Sequence, residues 1–225
     1  MNGLLREFTD MVCYVIDVDD TLLDTKRRMQ GVWRLTLDKE VPLSDIETSS
    51  LEQIFMKHAS EEQKGHAREL QGKFFSVLLC EDEAGVELAS LDQAVPYAAE
   101  TLQRWATEHE LVYLTGRTEN TRELTLGSLR RHGFPTDGIP LLMVTLEDWK
   151  NRVQTETRNQ RLAEIVGKRD VQRVVDEFPG YFTIYSQLQI PERIGLLVKR
   201  HEPEHYFEKG ATRVVESWKE LLDES

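Results

Sequence analysis

The sequence predicts an α/β protein: a Rossmann-like parallel sheet flanked by helices, with a small helical insertion after the first strand. Short runs of β-branched and aromatic residues alternate with amphipathic helical stretches over most of the 225 residues. This alternation is typical of right-handed βαβ units, whose strands form a parallel sheet covered on both faces. Residues 25–88 are different, because helical periodicity and charge prevail there and strand signals are few.

The composition restricts the partners of this chain. The formal net charge is −12 and the isoelectric point is near 5.0. A surface this acidic repels phosphate backbones and anionic membranes, so we expect neither nucleic acid nor a membrane as partner. No apolar run reaches membrane-spanning length, and no signal peptide is evident. Two cysteines, Cys13 and Cys80, form no disulfide framework and no metal-ligand spacing, so we expect a soluble, cytoplasmic protein. The sequence gives no indication of its oligomeric state.

The first part of the chain divides into a lead-in, a strand and the insertion. Residues 1–11 are a lead-in whose apolar side chains, Leu4, Leu5 and Phe8, we expect on the core edge. The run 12–16 is a buried strand. Within residues 25–88, two capping boxes predict helix starts. The first capping box pairs Ser49 with Glu52, and the second pairs Ser60 with Gln63. The helix that begins at the second box runs through Leu78, and residues 81–85 end it. The predicted domains are a core of residues 1–24 and 89–225 and an insertion of residues 25–88.

Regular alternation resumes after the insertion. Pro96 suits the first turn of a helix. The predicted elements that follow are strands at 111–114, 139–146 and 171–175, helices at 119–131 and 147–166, weaker strands at 181–185 and 194–198, and an amphipathic helix at 211–222.

Polar clusters follow three of these strands. Asp17 and Asp19 come directly after the first strand, and the others are Thr115-Gly116-Arg117 and Asp176-Glu177. Because ligands of open α/β sheets bind at the carboxyl ends of strands, we expect these clusters to converge on one edge. Each cluster taken alone is also compatible with an ordinary turn or cap.

The spacing Asp17-x-Asp19-x-Thr21 after an apolar strand resembles the first motif of the haloacid dehalogenase-like hydrolases, most of which are magnesium-dependent phosphatases. Thr115-Gly116 looks like the second motif of that family, and Asp176-Glu177 looks like its acidic fourth motif. The resemblance covers residues 12–24 and 90–200. It implies a phosphatase or phosphotransferase rather than a dehalogenase, because an acid stands at Asp19. It also implies that the insertion is a mobile cap that selects the substrate.

The resemblance implies a role for each motif residue. Asp17 would be the nucleophile that forms an aspartyl-phosphate, and Asp19 the general acid and later the base. Thr115 and Gly116 would bind the phosphoryl group, and Asp17, the Asp19 carbonyl and Asp176 would hold Mg²⁺. Lys150 would be the lysine that balances negative charge at the site, with Lys168 as the competing candidate. Thr21 would anchor the loop after the first strand through its hydroxyl, and Glu177 would contact the metal through water. Asp20 would have a structural role.

Several interpretations stay open at this stage. Arg117 and Arg122 are candidates for substrate binding, although surface salt bridges are the commoner role. Lys26, Arg27 and Arg28 would steer an anionic substrate or form a solvated helix face. The leading function is a magnesium-dependent phosphohydrolase acting on a small phosphorylated metabolite. The alternatives are a phosphomutase or phosphotransferase with the same site, a receiver-like phosphate-binding module, and a catalytically inactive scaffold.

Overall fold

The computed structural model describes residues 11–224, so the expectation for Leu4, Leu5 and Phe8 lies outside the described residues. Eight strands are present in this part of the chain: β1 (Cys13–Ile16), β2 (Leu23–Asp24), β3 (Gln93–Ala94), β4 (Glu110–Thr118), β5 (Leu141–Val144), β6 (Val171–Asp176), β7 (Glu192–Leu196) and β8 (Arg213–Val215). Six of them form one parallel sheet in the order β5-β4-β1-β6-β7-β8. The predicted fold class is confirmed.

Helices cover both faces of this sheet and form the insertion. Their bounds are α1 (Lys26–Leu37), α2 (Leu43–Thr48), α3 (Leu51–His58), α4 (Glu61–Gly65), α5 (Ala67–Leu78), α6 (Glu83–Ala89), α7 (Ala98–Trp105), α8 (Arg122–Arg131), α9 (Leu146–Lys150), α10 (Gln154–Val166), α11 (Phe182–Gln187), α12 (Pro203–Glu208) and α13 (Trp218–Leu222). None of the helices within residues 11–224 combines the length and the hydrophobicity that a membrane-spanning segment requires.

The side chains of β1 alternate between two hydrophobic cores, one on each face of the sheet. Tyr14 and Ile16 pack in one core, and Cys13 and Val15 pack in the other. All four are buried, as expected for a central strand of a parallel sheet. The next residue, Asp17, follows the last residue of β1 and therefore lies at the carboxyl edge of the sheet, between β4 and β6.

The insertion, α1–α6, has a hydrophobic core of its own. That core includes Trp33 of α1 and Phe74 of α5, whose ring centroids lie 4.5 Å apart. The insertion joins the rest of the chain through β2 and β3, which pair antiparallel with Leu23 opposite Ala94. A helical insertion after the first strand is therefore present. Its behaviour as a separate, mobile domain stays a prediction.

Several local predictions are wrong in detail. The first capping box pairs Ser50 with Gln53, so Ser49 ends α2 instead of starting α3. The capping box of Ser60 is confirmed, but it begins the short α4, and α5 follows as a separate helix. Residues 81–85 do not only end a helix but also lead into α6, and residues 147–166 form two helices instead of one. Residues 181–185 are helical instead of a strand, and residues 211–222 contain β8 before α13 instead of a single helix.

Candidate active site

Asp17 and Asp176 lie side by side at the carboxyl edge of the sheet. Asp17 follows β1, its backbone N–H donates to the carbonyl of Val175, and Asp176 is the last residue of β6. One nitrogen, Arg158 Nη2, lies 3.2 Å from Asp17 Oδ1 and 2.7 Å from Asp176 Oδ2. Acids separated by most of the chain therefore meet around a single guanidinium.

Arg158 is buried in this site and held from several sides. Only 1% of it is exposed. Its Nη1 donates to the hydroxyl of Tyr185 at 2.8 Å, and that hydroxyl donates to Asp176. Its guanidinium carbon lies 3.8 Å from the ring centroid of Tyr181, in a cation–π contact. The orientation of Arg158 is therefore fixed by groups other than the carboxylates that it neutralises.

The predicted lysine does not occupy this position. Lys150 ends α9, its side chain is 62% exposed, and its Nζ lies 3.5 Å from a carboxylate oxygen of Glu81. Lys168 is exposed in the loop before β6, at the opposite end of that strand. Arg158 supplies the buried positive charge instead. Its spacing of four and seven residues from the buried Leu162 and Ile165 in α10 is the sequence signal that places it on the inward face.

Asp19 lies in a second ionic group, and both of its carboxylate oxygens face guanidiniums. Arg117 Nε donates to Oδ1 at 3.1 Å and to Oδ2 at 3.0 Å, and Arg28 Nη2 also pairs with Oδ1. Burial alone would raise the pKa of Asp19, but Arg117 and Arg28 hold it well below its ordinary value. Asp19 is therefore a carboxylate in this structure.

Asp92 is the second acid of that group, and the sequence analysis missed it. It is fully buried, lies just before β3, and pairs with Arg117 Nη2 at 2.7 Å. Arg28 Nε lies 3.3 Å from its other oxygen. Arg28 and Arg117 are both buried, so the surface interpretation is wrong for each. For Arg122, which pairs with Glu119 in the first turn of α8, the expected surface salt bridge is found.

A third ionic group joins Asp20 and Glu177 through Arg200. Asp20 adopts φ 54°, a left-handed conformation that Asp tolerates, and its Oδ1 accepts from the N–H and hydroxyl of Thr25. Arg200 pairs with Asp20 at 3.0 Å and with Glu177 at 3.3 Å. Asp20 therefore stabilises the loop after β1, as expected, while also pairing with a residue that the sequence analysis missed.

The predicted phosphate-binding residues lie beside these groups. Thr115 is buried in β4, and its hydroxyl donates to Asp19 Oδ2 at 3.3 Å and accepts from the Arg117 N–H. Gly116 lines the same cavity, and a Cβ added there would meet no atom within 4 Å. Thr21 anchors the loop through its carbonyl, which accepts from Trp218 Nε1, and the predicted contribution of its hydroxyl stays a prediction.

The charge balance of the three groups fits a divalent cation. Together they contain six carboxylates and four guanidiniums. Burial, and then the neighbouring Asp176, raise the pKa of Asp17 well above its ordinary value, and burial does the same for Glu177. Within residues 11–224, no three His, Cys, Asp or Glu side chains form a metal cluster. Mg²⁺ needs only one or two protein carboxylates together with water, so an oxygen-only donor set with excess negative charge suits it.

Comparisons with known proteins give a consistent set of structural neighbours. No known family model matches the sequence, and no curated protein matches it. A putative phosphatase from Clostridium difficile has a TM-score of 0.67 at 16% identity, covering 95% of this chain and 97% of that one. A haloacid dehalogenase-like hydrolase from Streptococcus pneumoniae has a TM-score of 0.66 at 12% identity, and the alignment covers 95% of this chain and 98% of that one. A putative β-phosphoglucomutase from Thermotoga maritima has a TM-score of 0.57 at 14% identity, and the alignment covers 95% of this chain and 97% of that one.

Proposed function

This chain has the fold of the haloacid dehalogenase-like hydrolases, and from that premise we propose that it is a magnesium-dependent phosphohydrolase of a small phosphorylated metabolite. The observation that carries the proposal is the pair of buried carboxylates, Asp17 and Asp176, which both lie within hydrogen-bonding distance of one nitrogen of Arg158. Asp17 stands at a strand end and lines a cavity of about 550 Å³ between the sheet edge and the insertion. That volume is within the range of small-molecule sites.

Asp17 acts as the nucleophile in the proposed reaction. A carboxylate oxygen forms a bond to phosphorus and the ester P–O bond breaks. The leaving oxygen takes the electron pair of that bond and a proton from the carboxyl group of Asp19, which gives the alcohol and an aspartyl-phosphate. Arg158 neutralises charge on this carboxylate and on the incoming phosphoryl group. Gly116 lines the cavity with open space where a side chain would stand, which leaves room for the phosphoryl oxygens. Thr115 is buried beside it, and its hydroxyl donates a hydrogen bond to Asp19.

Asp19 is suited to the second half of the reaction. As a carboxylate it accepts a proton from the water that attacks the aspartyl-phosphate, which regenerates Asp17 and releases phosphate. Donation of a proton to the leaving alcohol in the first half requires Asp19 to be protonated beforehand. Arg28 belongs to α1 of the insertion, so movement of the insertion would release one of the two guanidiniums that keep Asp19 ionised.

Asp17, the Asp19 carbonyl and Asp176 would hold Mg²⁺, with Glu177 acting through water. When bound, the ion would neutralise negative charge on the transferring phosphoryl group. The chain's own contribution is to keep these oxygens together in a buried setting where carboxyl groups outnumber guanidiniums. A cytoplasmic location, the absence of nucleic-acid and membrane partners, and a capping role for the insertion stay predictions.

The test is phosphate release from a panel of phosphomonoesters, with and without Mg²⁺, by the wild type and by Asp17→Asn. We expect metal-dependent turnover that Asp17→Asn reduces at least about 1,000-fold, because its amide is not a nucleophile. Asp137→Asn, at an exposed loop position, is the matched control and keeps wild-type turnover. Thermal unfolding verifies that both variants are folded. Retained turnover by Asp17→Asn would remove Asp17 as nucleophile.

Phosphoryl transfer is the second candidate, because one structural neighbour is described as a putative β-phosphoglucomutase. The same nucleophile serves both reactions, and they differ in whether water or a hydroxyl attacks the aspartyl-phosphate. Product analysis in the presence of an acceptor sugar distinguishes them. Hydrolysis predicts stoichiometric inorganic phosphate that the acceptor does not reduce, whereas transfer predicts a phosphorylated acceptor at the expense of phosphate.

A further inference from the structure

The cavity beside the candidate nucleophile has two chemically different ends. The carboxylates and guanidiniums described above form the end at the sheet edge. The insertion, the helices α8 and α9, and Phe178 after β6 contribute the apolar side chains of the other end. A phosphomonoester with its phosphoryl group at Asp17 would therefore place its alcohol part against the second end. The chemistry of that end indicates which alcohol fits.

The walls at the second end are mainly apolar, although the core also contributes the polar residues Thr118, Thr121 and His201 to the lining of the cavity. From the insertion, Leu51 of α3 and Leu79 after α5 line the cavity. The core contributes the side chains of Leu124, Trp149 and Phe178 to the lining of the cavity. Leu51, Leu124 and Phe178 are 42%, 36% and 43% exposed, although they line a concave site. Apolar side chains that stay exposed inside a cavity are suited to covering an apolar ligand.

The polar side chains that the insertion contributes are mostly engaged already. Arg28 pairs with Asp19 and Asp92, and Lys26 pairs with Asp24 and Glu47. The Ser50 hydroxyl accepts from the backbone N–H of Gln53 as the cap of α3. Of the four polar residues that the insertion adds to the lining, Ser49 alone has no partner of this kind among the described residues. The insertion therefore offers few groups that could bind several hydroxyls.

We infer that the alcohol part of the substrate is apolar, an aryl or alkyl group rather than a polyhydroxylated sugar. This inference rests on the proposed function and specifies its substrate class. Several sugar hydroxyls placed against the side chains of Leu51, Leu124 and Phe178 would lose water and gain few hydrogen bonds, which is unfavourable. An aromatic ring or alkyl chain would remove apolar surface from water on both sides, which is favourable.

The experiment compares kcat/KM for 2-phenylethyl phosphate and glucose 6-phosphate in the presence of Mg²⁺. Both are esters of primary alcohols, so their leaving groups are alike and the comparison reports on binding of the alcohol part. We expect 2-phenylethyl phosphate to be preferred at least about tenfold, which corresponds to 1.4 kcal/mol. Equal rates, or a preference for glucose 6-phosphate, would overturn the inference.

A matched pair of variants in α3 locates the preference in the cavity wall. Leu51 and Met56 are both exposed, but only Leu51 lines the cavity. Leu51→Asn is expected to reduce the preference about threefold through KM, because part of a leucine-sized apolar contact is lost. Met56→Asn is expected to leave it unchanged. Leu124→Gln, on the core side, repeats the test should Leu51→Asn unfold. Equal effects of the Leu51 and Met56 substitutions would contradict the assignment of the wall.

Hydrolysis of acetyl phosphate separates this inference from the proposed function. Its acyl part is too small to require the apolar walls, so its turnover reports on the nucleophile and the metal. Turnover of acetyl phosphate without the expected preference would refute the substrate class and leave the phosphohydrolase intact. The absence of any turnover, of acetyl phosphate included, would refute the proposed function and this inference together.

Discussion

Replacing Arg158 by methionine tests the ionic group at the centre of the site. Methionine fills much of the same volume with an apolar chain, so the substitution removes the charge and the hydrogen bonds. It leaves Asp17 and Asp176 as neighbouring buried carboxylates without the guanidinium that both contact. Tyr185 also loses the Arg158 Nη1 donor to its hydroxyl.

The expected loss of stability is large. Breaking a buried ion pair by removing one partner costs about 3–5 kcal/mol, because an uncompensated charge is left behind. For a protein of this size, 1 kcal/mol corresponds to about 2–4 °C, so the melting temperature should fall by roughly 6–20 °C. Arg158 is 1% exposed, so solvent screening reduces the effect very little.

The assay is urea unfolding followed by circular dichroism, with thermal unfolding as a second measurement. Arg161→Met, three residues further along α10 at a half-buried position, is the control and should change the free energy of unfolding by less than about 1 kcal/mol. Adding Asp176→Asn to Arg158→Met should recover at least about 1 kcal/mol, since it removes one of the unpaired charges. A loss below about 1 kcal/mol for Arg158→Met would refute the reasoning, as would the absence of recovery in the double variant.

Three further predictions follow from the same structure. Mg²⁺ should raise the melting temperature of the wild type and not that of Asp176→Asn, because the ion offsets excess buried negative charge. Equal shifts in the melting temperatures of the two proteins would argue against Asp176 as a ligand. Arg28→Met should lower the free energy of unfolding by about 1–3 kcal/mol in urea unfolding, because Asp19 and Asp92 then share Arg117 alone as their guanidinium partner. Substitution of its exposed neighbour, Arg27→Met, should change the free energy of unfolding by less than about 0.5 kcal/mol. Similar losses in the two variants would contradict the buried role of Arg28. Burial raises the pKa of Cys13 to about 11 and also raises that of Cys80. Mass spectrometry after iodoacetamide treatment at pH 8 should therefore find neither thiol alkylated in the folded protein and both alkylated in urea. Rapid labelling of the folded chain would contradict the buried position of the two thiols.

The strands and their terminal acids could be predicted because both depend on local sequence. A short apolar run followed by a polar residue predicts a buried strand and its end, and this placed Asp17, Thr115 and Asp176 at one edge. The helical character of the insertion was also predictable. Its six helices supply their own hydrophobic core, and that pattern is visible in the chain.

The partners of these acids could not be predicted in the same way. The prediction of Lys150 requires one helix from 147 to 166, but Arg152 adopts φ 59° between α9 and α10, so the helix is interrupted. The interruption changes which side chains of this segment face inward, and Arg158 is buried instead. Arg28 and Asp92 are distant in sequence and meet only through the tertiary fold. Long-range ion pairs of this kind leave little local signal.

The antiparallel pairing of β2 and β3 has a consequence for the architecture of the chain. The two connections to the insertion lie next to each other, with Asp24 opposite Gln93. A short turn joining these two residues would therefore close the chain without stretching the sheet, and a shortened protein lacking α1–α6 should still form its six parallel strands. Such a truncated protein would keep Asp17 and Asp176 together while opening their edge of the sheet to bulk water.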